Sequence, residues 1–72
     1  MTKQEIGEKL RQRRKLLRLR QRDLAELAGV TLRGLTNLER GEPNPTVNQL
    51  SKILDVLGLE FRVVERSAHA PS

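Results

Sequence analysis

Apolar residues return every three or four positions through most of this chain, and glycine or proline sits where the rhythm stops. Ile6, Leu10 and Leu17 fall near one stripe at helical spacing, with Arg14 interrupting it on the inward side. Thr2, three residues ahead of Glu5, fits a capping box, so a first helix is predicted from Thr2 or Lys3 to about Leu17. An arginine on an inward stripe needs an acidic partner. Leu24, Leu27 and Ala28 give the apolar side of a second helix, about Gln21 to Ala28, which Gly29 ends. Ala25 and Ala28 are small enough to permit close helix crossing. Only Gly29 and Val30 intervene before Thr31, whose hydroxyl can cap a third helix. Leu35 and Leu38 are three apart and point inward together. Leu32, Arg33, Thr36, Asn37 and Arg40 cover the outer surface, and Gly41 can take the left-handed conformation that ends a helix.

Glu42-Pro43-Asn44-Pro45 cannot be helix and reads as a loop. Thr46 and Gln49 form a second capping box. A fourth helix follows to about Leu57, with Val47, Leu50, Ile53, Leu54 and Leu57 as its buried stripe and Gly58 as its stop. The period then drops to two. Leu59, Phe61 and Val63 alternate within residues 59–65, which is a strand signal. A lone strand has two unpaired edges and is not stable by itself. One solution is pairing with the same strand of a second copy across a two-fold axis. The other is an extended tail packed on the helices. The shared ribbon is the favoured reading. Residues 67–72 have the composition of a disordered tail, leaving residues 1–66 as one domain.

Two short helices, a tight glycine-containing turn and a polar-faced helix are the helix-turn-helix arrangement. A short helix with a small apolar footing and donor-rich side chains outward suits the floor of a DNA major groove. An ordinary amphipathic helix with a solvated face would look the same, so composition has to weigh in. The chain has 72 residues, 14 Lys and Arg against 9 acids, a net charge of +5 and a pI near 10.8. That balance favours a polyanionic partner. A single Phe, with no Trp or Tyr, argues against stacking platforms for single strands or RNA. Catalysis is poorly supplied, and an enzyme is not expected. There is no Cys, the only histidine is His69 in the terminal tail, and the five glycines are scattered rather than grouped in a phosphate loop. No metal or other cofactor is expected. No apolar run is long enough to span a bilayer and no signal-peptide pattern opens the chain, so a cytoplasmic protein with no membrane partner is the expectation.

Leu19-Arg-Gln-Arg-Asp-Leu-Ala-Glu-Leu-Ala-Gly-Val-Thr31 followed by Leu35-Thr-Asn-Leu-Glu-Arg-Gly41 resembles the phage Cro/C1-type (XRE) helix-turn-helix family over about residues 5–58. The resemblance implies an all-α, lambda-repressor-like domain of four to five helices around one small core, here with the short C-terminal strand added. It implies sequence-specific binding to a double-stranded DNA operator as a homodimeric repressor. By match, Gln21 meets a phosphate at the start of helix two. Thr31, Leu32, Arg33, Thr36 and Asn37 lie where the family reads base edges or adjacent phosphates, and Arg40 lies near the backbone. Glu39 matches a family acid that pairs with a helix-one arginine, here Arg14. The sequence departs from the family at Arg18, where glycine is frequent, and at Arg20, where a capping hydroxyl is frequent. Both changes add positive charge near the expected phosphate, and Arg20 joins the phosphate contacts. Gly34 inside the recognition helix is also unusual. The ending resembles HipB-type antitoxins, in which the strand (here Leu59, Phe61 and Val63) pairs between subunits and the dimer binds a HipA-like kinase toxin. The alternative is a protein-interaction module that neutralises a toxin with little DNA binding of its own.

Overall fold

In the computed structural model, residues 2–42 and 44–65 are described, and they form four helices. Helix α1 spans Lys3–Leu16, α2 Gln21–Ala28, α3 Leu32–Glu39 and α4 Val47–Leu57. Three of the starts are closed by threonine. The Thr2 hydroxyl accepts the Glu5 N–H at 3.1 Å while Glu5 Oε1 takes the Thr2 N–H at 2.9 Å. Thr46 and Gln49 repeat the exchange at 3.1 and 3.2 Å. Thr31 accepts the Gly34 N–H at 3.0 Å. Each such cap satisfies an amide that the helix cannot, and is worth about 1 kcal/mol. Arg20 has no acceptor to offer α2, so only the reverse half of the box forms there: Asp23 Oδ2 takes the Arg20 N–H at 2.9 Å.

The helix ends are as regular as the starts. Past α2, α3 and α4 the chain reverses through a glycine at positive φ, and the glycine N–H and the one after it turn back onto the last carbonyls. The end of α1 lacks that glycine. Arg18 takes the left-handed conformation itself, at φ 59°, so that Leu19 N–H reaches Arg14 O at 3.1 Å. A side chain there costs roughly 1–2 kcal/mol relative to ordinary backbone.

Leu10 of α1, Leu24 of α2, Leu35 of α3, and Ile53 and Leu57 of α4 are fully buried and form the centre of the core. Ala25, Ala28, Leu38, Leu50 and Leu54 complete it. Helices α1 and α2 each pack against both α3 and α4. Helix α1 approaches the end of α3 closely at Gly7. A Cβ built on Gly7 would lie 2.5 Å from the Leu38 carbonyl oxygen and 2.7 Å from that of Glu39, so no larger residue fits there. Arg13 ties α1 to the end of α4, its Nε donating to the Leu57 carbonyl at 2.8 Å.

Three apolar residues assigned inward by periodicity lie outward. Leu17 is 41 % exposed because α1 has already ended at Leu16. Leu27 is 64 % exposed, since Leu24, Ala25 and Ala28 define a narrow core-facing strip and Leu27 stands about a quarter-turn off it. Val47 is 73 % exposed at the first position of α4. The alternation after Gly58 forms no strand among the described residues. Leu59 is drawn into the α4 terminus instead, its N–H donating to Leu54 O at 2.9 Å and its side chain packing on the core. A segment with no neighbouring strand in its own chain has no ladder to join. Phe61, Val63 and Val64 are exposed. The tail expected over residues 67–72, with His69, lies outside the described residues.

Candidate nucleic-acid interface

Helix α3 stands on Leu35 and Leu38, which are buried, and turns the rest of its surface outward. Arg33 and Arg40 are exposed, Leu32 is exposed at its tip, and Thr36 and Asn37 are half-buried. Thr31 is also exposed, with its hydroxyl committed to the cap. A Cβ on Gly34 would come within 2.9 Å of that hydroxyl, so the glycine leaves the cap unhindered. The α2–α3 turn comprises Gly29, Val30 and Thr31 alone, and Val30 packs against the core. The outward face of α3 is thus fixed at its start by a cap and along its length by two buried leucines.

Its far end is fixed by charge. Arg14 Nε donates to Glu39 Oε2 at 2.7 Å and Arg14 Nη2 to Glu39 Oε1 at 3.0 Å, a two-pronged pair with almost no solvent access. Arg14 Nη1 also donates to the Leu19 carbonyl at 2.8 Å. Gln21 Nε2 donates to the same Glu39 Oε1 at 3.0 Å, and the Thr36 hydroxyl donates to Gln21 Oε1 at 3.4 Å. One buried carboxylate therefore gathers α1, the first residue of α2 and the last of α3. No buried side-chain polar atom among the described residues lacks a partner. Burial of a charged pair is tolerated only where its hydrogen bonds are complete, as they are here.

The residues expected at the phosphates are placed differently from one another. Gln21 turns its amide toward the protein, donating one Nε2 proton to Glu39 and accepting from the Thr36 hydroxyl. Arg20 forks onto Asp23 through Nε and Nη2, each at 3.0 Å. That contact raises the Arg20 guanidinium above its ordinary value and, with the Arg20 N–H, holds the Asp23 carboxyl down to about 2. Arg40 has a loose partner, Glu42, at 3.8 Å. Glu8, Arg11, Gln21, Thr36, Glu39 and Arg40 line an open polar cleft of ≈ 370 Å³ between α1, α2 and α3. Arg11, with Lys9, Arg13, Lys15 and Arg18, is read from sequence only as part of a basic surface that could attract phosphates at long range. Its signal was its spacing, three residues before Arg14 and three after Glu8, which sets all three along one side of α1. Among the described residues no group of acids and histidines could hold a metal ion, and no helix is long and apolar enough to cross a membrane.

The helix-turn-helix family model matches residues 10–64, three of the four helices entire and the second half of α1. The chain belongs to the helix-turn-helix family, of the Cro/C1 (XRE) type. Membership makes this helix-turn-helix protein, at the level of class, a DNA-binding transcriptional regulator. It is 36% identical over 63 residues to the HTH-type transcriptional regulator y4mF of Sinorhizobium fredii, covering 88% of this chain and 83% of that protein. In structure it is similar to the clp gene regulator ClgR from Corynebacterium glutamicum, with a TM-score of 0.76 and 29% identity over 82% of this chain. This helix-turn-helix protein spans only 63% of the ClgR chain.

Proposed function

We propose that this chain is a sequence-specific repressor that binds its operator as a homodimer, with α3 of each copy in the major groove. The observation that carries the reading is the division of α3. Leu35 and Leu38 are buried while Leu32 and Arg33 are open to solvent, on a helix whose two ends are both tied down. Arg33 has the donors for guanine O6 and N7, the Asn37 amide suits adenine, and Leu32 suits a thymine methyl. Thr31, Thr36 and Arg40 flank them, and Arg20 and Gln21 contribute from the start of α2. Two copies related by a two-fold axis would place their α3 helices about 34 Å apart, one turn of the duplex. The exposed Phe61 and Val63, with Val64 beside them, are the apolar surface through which two copies would join.

The test is a duplex selected from a random pool, titrated with the wild-type chain and with Arg33→Ala. The variant is expected to lose about 1–3 kcal/mol of discrimination at one base step and keep its affinity for random DNA. An unchanged preference would take α3 out of the groove. Deleting residues from Glu60 onward is expected to abolish the dimer; a stable dimer after that truncation would rule out the C-terminal contact.

A second reading has support in the exposed Leu16 and Leu27, at 71 % and 64 %. With the ending's resemblance to HipB-type antitoxins, it makes the chain the autoregulating antitoxin of a HipA-like kinase toxin. In its extreme form the chain holds the toxin and binds little DNA. Flat, negligible DNA binding at low salt would select that form.

A further inference from the structure

We propose that Arg11 of α1 is a further phosphate-contacting residue, closing from across the polar cleft between α1, α2 and α3 on the backbone phosphate that Gln21 and Arg40 would meet. The inference rests on the DNA-binding reading above and adds a contact from α1 to it. The cleft lies between the first residue of α2 and the last turn of α3, so a duplex against α3 passes its mouth. Its rim carries two cations from two elements, Arg11 of α1 and Arg40 past α3. Both guanidinium groups are held loosely. Arg11 Nη1 is 3.5 Å from Glu8 Oε1, with both side chains about half exposed. Arg40 Nη1 is 3.8 Å from Glu42 Oε2, with both side chains more than half exposed. Pairs so long and so wet hold little, whereas a phosphate offers a guanidinium a two-pronged, charge-assisted partner.

The floor of the cleft does not repel an anion. Glu39 is the acid there, and Arg14 covers both of its oxygens. Gln21 Nε2 has two protons and gives one to Glu39, leaving the other for a phosphate oxygen. Glu8 is the remaining acid on the rim, and it competes with the phosphate for Arg11. Arg11 therefore exchanges Glu8 for DNA, and Glu8 sets how readily it does so.

The experiment titrates the full chain against a labelled selected duplex and a random duplex between 50 and 200 mM salt. Arg11→Gln is expected to reduce the steepness of log affinity against log salt by about 0.9, the release of one phosphate contact. The fall in affinity across that range then becomes about 3.5-fold smaller. The preference for the selected duplex stays unchanged, because a phosphate contact carries no base information. Glu8→Gln is expected to tighten binding to both duplexes. Lys9→Gln removes the same charge from the same helix, about 200° around it from Arg11 and away from the cleft lining, and is expected to change the slope by less than half as much. Equal effects of Lys9→Gln and Arg11→Gln would overturn the cleft in favour of diffuse attraction. An unaltered slope in Arg11→Gln would overturn it outright. A wild-type chain that binds neither duplex at 50 mM salt would overturn the DNA-binding reading and the cleft with it.

Discussion

Removing the Glu39 carboxylate strands three donors at once. In Glu39→Ala, Arg14 Nε and Nη2 lose their acceptor, Gln21 Nε2 loses its own, and the Arg14 guanidinium keeps only the Leu19 carbonyl. Arg14 is 7 % exposed, so water cannot replace what is lost without opening the structure. An uncompensated buried charge of this kind costs about 3–5 kcal/mol. A domain of 72 residues has roughly 4–11 kcal/mol of stability in total, at about 0.05–0.15 kcal/mol per residue. The variant is therefore expected to be marginal at room temperature, with a melting point lower by at least about 12 °C. Urea titration followed by far-UV circular dichroism reads the difference directly. The paired change Arg14→Met with Glu39→Leu removes both charges and keeps the volume, and is expected to recover most of the loss. A deficit below about 1 kcal/mol in Glu39→Ala would refute the reasoning, because that is the scale of a solvated surface pair. A double variant weaker than the single one would refute it equally.

Three further changes probe other parts of the fold. Arg18→Gly relieves a left-handed side chain and is expected to stabilise the domain by about 1 kcal/mol in the same titration; destabilisation would show that the arginine is unstrained. Gly7→Ala gains about 1 kcal/mol of helix propensity but drives a methyl group onto two backbone carbonyls, so a net loss of about 1–3 kcal/mol is expected, and a neutral result would mean that α1 and α3 stand further apart. The Asp23 carboxyl is lowered from 3.8 to about 2 by Arg20, so its contribution is full above pH 3.8 and is lost as pH falls toward 2. The gap in melting temperature between wild type and Asp23→Asn is accordingly expected to be widest near neutral pH and to close below pH 3.8; a gap that does not vary between pH 2 and pH 7 would contradict the linkage.

Local chemistry was the most legible part of this chain. Thr2 with Glu5, Thr31, Thr46 with Gln49, and the glycines at 29, 41 and 58 mark where helices begin and end, and each acts within a few residues of itself. The buried feet of α3 were legible for the same reason, being three residues apart. What was not legible depends on which neighbour arrives. Leu27 carries the right hydrophobicity but faces no helix. Leu59 fits an alternating pattern, yet the α4 terminus claims its amide first. The inward turn of the Gln21 amide depends on a carboxylate 18 positions away, and the cleft that Arg11 lines exists only once α1, α2 and α3 meet. The inward stripe of Leu10 and Arg14 runs through Gly7, but a residue with no side chain leaves no mark in a hydrophobic pattern.

That missing side chain at Gly7 has a mechanical consequence. Where α1 meets the end of α3, main chain abuts main chain, and there is no rotamer to give way between them. The two helices must travel as a single rigid lever. If both helices hold the duplex as proposed, a molecule sliding one step along it cannot keep a grip with one arm while the other searches. On that reading, mis-registered placements would be penalised in concert, and the step from a wrong register to the right one would be sharper than separate contacts would make it.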